Sequence, residues 1–165
     1  MNITQFIGIF SYAIAGILCL KVRRENWIIL ALINIIFCIE CAVGFRHIIH
    51  DQMITVMGVY YAERVTLQNA LIQGVAIIGI TFVIISIYKI RSLQFGVAFI
   101  GTTLSIALFG IETISLHKID RILYYEFGPI FLIALFWAAF AMLPSISAAS
   151  MLFRSANPFS PPNRR

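Results

Sequence analysis

The chain has 165 residues, 61% of them hydrophobic and only 12% charged, with a mean hydropathy of +0.94. The charged share is about half that of an ordinary soluble domain, which excludes a water-soluble globular fold and an intrinsically disordered chain. Three cysteines are too few for a disulfide scaffold, and a net charge of +5 on so apolar a chain reads as loop asymmetry across a membrane, not as a nucleic-acid surface.

The first apolar stretch runs from about Ile3 to Leu20 and ends at Lys21-Val22-Arg23-Arg24-Glu25-Asn26. No Lys or Arg precedes it, and it continues past Ala13-Ile14-Ala15, which resembles a cleavage site. It is therefore expected to be a span and not a cleaved leader. The second stretch runs from Trp27 to about Gly44, the third over about Ala70 to Tyr88, and the fourth over about Phe95 to Leu116. The fifth starts near Gly128-Pro129 and reaches about Phe153. Each is roughly 17–25 residues, enough to cross about 30 Å of hydrocarbon. Pro129 is expected in a first helical turn, where its missing N–H costs nothing. Pro144 is expected to kink the last helix or end it early. The predicted fold class is an all-α integral membrane protein with five transmembrane helices. A single bundle would cover residues 1–153, and residues 154–165 would form an extended, Pro-rich cytoplasmic tail.

Five spans place the termini on opposite sides. One face then carries Lys21, Arg23, Arg24, Lys89, Arg91, Arg154, Arg164 and Arg165, and the other only Arg46, Arg64, Lys118 and Arg121. The positive-inside rule puts the richer face in the cytoplasm, hence an outside N-terminus and an inside C-terminus, with a bacterial inner membrane as the expected location.

The chain also contains a predicted tandem repeat. Lys21-Val22-Arg23 is answered by Lys89-Ile90-Arg91, and Phe37-Cys38-Ile39-Glu40 by Phe109-Gly110-Ile111-Glu112. Spans 1–2 and 3–4 thus read as two copies of one hairpin in the same orientation, followed by a fifth helix.

Glu40 and Glu112 are the most informative residues. An acid inside hydrocarbon costs roughly 2.5–3.5 kcal/mol on insertion scales, so both should face the bundle interior in the outer half of the bilayer. The plain reading is packing glue, with each acid hydrogen-bonded to a neighbouring helix. The alternative is a site. All three histidines, His47, His50 and His117, lie at the outer ends of the same two spans. If span 2 stays helical to Asp51, then Glu40, Gly44 and His47 share one face. A metal centre would collect Glu40, His47, His50, Glu112 and His117, a nitrogen and oxygen set suited to zinc, copper, manganese or non-haem iron. A haem would use His47, His50 or His117 as axial ligands. Asp51, Asp120 and Arg46 would orient the imidazoles.

Cys38 and Cys41 form a C-x-x-C well inside span 2 without an exposed second pair, and read as small packing residues. Leu123-Tyr124-Tyr125-Glu126 and the segment from Gln52 to Gln68 fit aromatic belts at headgroup level. Small-residue pairs such as Ser11 and Ala15, Ala70 and Gly74, and Ala134 and Ala138 mark close helix contacts. No Gly-rich phosphate loop and no G-x-S-x-G is present. The sequence therefore predicts a non-catalytic subunit or scaffold of a larger membrane complex or homo-oligomer. Its expected partners are the lipid bilayer and other membrane subunits or itself, and no nucleic acid. A redox or metal protein is the alternative, and a small ion or proton transporter the third reading.

Overall fold

The computed structural model describes residues 2–45, 48, 52, 55, 73, 79, 92–114 and 121–156. Among them, four helices are long and apolar enough to cross a membrane.

Helix α1 (Ile3–Lys21) opens on a capping box. The Asn2 side chain accepts from the Gln5 N–H at 2.8 Å, and the Gln5 side chain accepts from the Asn2 N–H at 3.1 Å, so two donors of the first turn are satisfied reciprocally. Val22 donates to the Cys19 carbonyl, and Arg23 turns the chain with φ 55. Helix α2 (Glu25–Val43) follows with Glu25 in its first turn, favourable to the helix dipole. It ends on Gly44, left-handed at φ 71, whose N–H donates to the Glu40 carbonyl at 2.7 Å. Helix α2 thus ends where the second apolar stretch is expected to end, and the alignment of Glu40 and Gly44 with His47 falls on positions, His47 and Asp51 among them, that lie outside the described residues.

Helix α3 (Leu93–Ile114) starts where the Ser92 hydroxyl accepts from the Phe95 N–H at 3.2 Å. Before the last helix comes a small antiparallel hairpin, β1 (Glu126–Phe127) paired with β2 (Ile130–Phe131). Gly128 has φ +64, and Pro129 is held at negative φ by its ring. That is the sign pattern of a type II′ turn, which suits two-residue hairpins. Pro129 therefore sits in a turn and not in the first turn of a helix. The hairpin is fastened from outside: Leu132 donates to the Tyr125 carbonyl at 3.0 Å, and Phe131 donates to the Thr4 hydroxyl at 3.0 Å.

Helix α4 (Leu132–Ala156) continues through Pro144, contrary to an early end, and includes the first three residues of the stretch read as a tail. Proline deprives the Phe140 carbonyl of its helical N–H. That carbonyl, the Pro144 ring and Leu143 all press on Gly101 of α3, where a Cβ would lie 2.6–2.7 Å from each.

Helix α1 packs against both α2 and α4, α3 packs against α4, and α2 touches α3 lightly. Trp27 and Phe95, each the third residue of its helix, meet edge to face with centroids 5.8 Å apart. Helices α2 and α3 therefore run parallel. Cys19, late in α1, shares a buried cluster with Ala148, late in α4, and with Trp27, early in α2. Helices α1 and α4 thus run the opposite way. The faces turned outward carry Phe6, Phe10, Ile36 and Ile146, each more than half exposed, an apolar exterior that hydrocarbon and not water solvates. Spans 1, 2, 4 and 5 of the sequence reading are these four helices. The third span, residues 70–88, lies outside the described residues apart from single positions.

Candidate functional site

Along α3, Thr102, Ser105, Phe109 and Glu112 recur at spacings of three and four and so line one face. All four are buried. Glu112 ends this face near the last turn of the helix and is 7% exposed. Its two oxygens have different donors. Tyr124, exposed on the approach to the hairpin, donates its hydroxyl to Oε1 at 3.2 Å. Trp137 of α4 donates its indole N–H to Oε2 at 3.3 Å. Both bonds are at the long end of the usual range. An ionised carboxylate is acceptor-only, and Trp is donor-only, so each supplies what the other needs away from water.

The indole is held in place from every side. It lies parallel to Phe109 (centroids 5.9 Å, 5°), which stacks on Phe37 of α2 (4.5 Å, 6°). Tyr12 of α1 leans on both Phe37 and Phe109 at 5.3 and 5.8 Å. On its remaining side the indole meets Gly8 of α1. One aromatic block thus joins all four helices, and Glu112 closes the end of it nearest Tyr124. The site can fix geometry: it joins α3, the hairpin approach and α4 through one acid.

Glu40 is half-buried at the matching end of α2, one turn beyond Phe37, as Glu112 is one turn beyond Phe109. Phe37 precedes Glu40 by three residues, and Phe109 precedes Glu112 by three. His47, His50 and His117, with Arg46, Asp51 and Asp120, lie outside the described residues. Among the described residues no group of three or more His, Cys, Asp or Glu side chains is placed to hold a metal ion. Cys41 is buried against the Gly8 position and Cys38 is half-buried, both as free thiols, in keeping with packing roles.

The sequence reading did not single out Trp137, and placed Tyr124 only in an aromatic belt. A usable signal existed. A tryptophan within a span cannot give its N–H to water, and an acid within a span needs donors.

No protein-family model matches the chain, and no curated protein and no solved structure matches it.

Proposed function

We propose that this chain is a non-catalytic subunit of a larger membrane assembly, or a scaffold of several copies of itself. The observation that carries this reading is the use made of Glu112. It is the buried acid among the described residues, and donors of its own chain occupy both its oxygens. An acid engaged in this way holds helices together. The proposed topology has five crossings, with the N-terminus outside and the C-terminus in the cytoplasm. Parallel α2 and α3 support it, because the chain between them leaves one end of the bundle and re-enters at the other. The apolar stretch 70–88 has the length for that return. The stacking of Phe37 on Phe109 supports the proposed duplication.

The test is purification from the native membrane in mild detergent, comparing wild type with Glu112→Gln and Glu112→Leu. The Gln variant keeps an amide oxygen as acceptor and should retain the assembly. The Leu variant strands both donors and should lose it. The preparation should show no Soret band and no stoichiometric metal. A haem or metal that disappears on substituting His47 or His117 by Ala would overturn the proposal. So would a Gln variant that assembles yet abolishes the activity of the host complex.

A further inference from the structure

Midway along the bundle, Tyr12, Asn34, Thr102 and Ser105 form a polar layer in which each residue is 0% exposed. Its protons can be followed one by one. Tyr12 donates to the Ser105 hydroxyl at 3.0 Å, and Ser105 donates to the Gly101 carbonyl at 3.1 Å. Thr102 donates to the Ala98 carbonyl at 3.0 Å. The Asn34 amide nitrogen donates to the Leu30 carbonyl at 2.8 Å and to the Thr102 hydroxyl at 3.3 Å. Every hydroxyl proton and both amide protons of the layer are committed.

What remains is an excess of acceptors. Asn34 Oδ1 is closed off from solvent and receives no hydrogen bond among the described residues. Turning the carboxamide over does not relieve it, since Oδ1 would then face the Leu30 carbonyl at the same short distance, two acceptors in contact. Hydrocarbon offers Oδ1 nothing. The missing component is a hydrogen-bond donor, and a layer walled by fully buried side chains restricts it to the smallest.

We propose that Asn34 Oδ1 is the anchor of an internal water site. One water molecule donates one proton to Oδ1 and the other to a lone pair that Thr102 or Ser105 keeps. Buried waters of this kind make two to four such bonds and belong to the structure. The site is a hydrated point at mid-depth, formed by α2 and α3 with Tyr12 of α1 completing the layer.

The experiment is a crystal structure of the full chain from a lipidic phase, at a resolution that shows ordered water. The expected result is an isolated density peak within hydrogen-bonding distance of Asn34 Oδ1, lost in Asn34→Leu while the Thr102 bond to Ala98 persists. If the variant does not assemble, the wild-type map decides alone. A protein donor on Oδ1, or a well-ordered Asn34 with no such peak, overturns the proposal.

Discussion

Gly8 of α1 lies against the indole of Trp137, where a Cβ would stand 2.6 Å from Cε3 and 2.8 Å from the Cys41 sulfur. The indole cannot retreat, because Phe109 stacks on it and Glu112 holds its N–H. Gly8→Ala should therefore destabilise the bundle by about 1–3 kcal/mol through overpacking. The check is the thermal unfolding midpoint in detergent, followed in the near-ultraviolet circular dichroism of the aromatic residues. An unchanged midpoint would mean that the aromatic block is loose.

The bond between Trp137 and Glu112 can be isolated by a double-mutant cycle. Trp137→Phe removes the N–H and keeps much of the ring stack, and Glu112→Leu removes the acceptor, so each single variant abolishes the bond. The coupling energy is expected near 1 kcal/mol, between the average of roughly 0.6 and the maximum of roughly 1.7 kcal/mol for such pairs in membrane helices. Additive single effects would remove this bond from the list of stabilising contacts.

Three glycines should rank by what surrounds them. At Gly101 a Cβ meets Leu143 Cβ, the Phe140 carbonyl and the Pro144 ring at 2.6–2.7 Å, atoms with little freedom to move. At Gly16 its tight contact is the Ile35 side chain at 2.8 Å, with backbone atoms at 3.5 Å or more. At Gly79 nothing lies within 4 Å. Alanine should thus be most damaging at 101, by about 2–3 kcal/mol, milder at 16, and neutral to stabilising at 79, where helix propensity favours it by up to about 1 kcal/mol. Resistance to denaturing detergent orders the three variants.

Thr4 is 4% exposed and its hydroxyl accepts from the Phe131 N–H at 3.0 Å. Thr4→Val keeps the shape and removes the acceptor, at an expected cost of about 1–3 kcal/mol. Thr4→Ser should cost less. Hydrogen exchange at the Phe131 amide is the direct readout, and it should quicken in the Val variant alone.

The parts of the fold that read well from sequence are those decided locally. The ends of α1 and α2 follow from where charge and hydrocarbon part, at Lys21 and at Glu25. The misplaced features depend on distant partners. Pro129 suits a helix start and a turn equally well, and contacts from Thr4 and Tyr125 select the turn. Pro144 does not end α4, and the turn it occupies packs closely on Gly101 of another helix, a partner 43 positions away. At the site, the buried setting of Glu112 was legible from its cost in hydrocarbon. Its donors, 12 and 25 positions away, were not.

The contact between Thr4 and Phe131 spans 127 positions of chain. Synthesis at about 5–20 residues per second puts on the order of 10 s between the appearance of the two partners. For most of that interval α1 is complete while its second packing surface, α4, does not yet exist. The notch at Gly8 and the Thr4 hydroxyl must then face lipid or a transient companion in the insertion machinery. The bundle is thus a clasp that shuts only when α4 arrives, and truncation ahead of α4 should leave α1 as the segment most open to quality-control proteolysis.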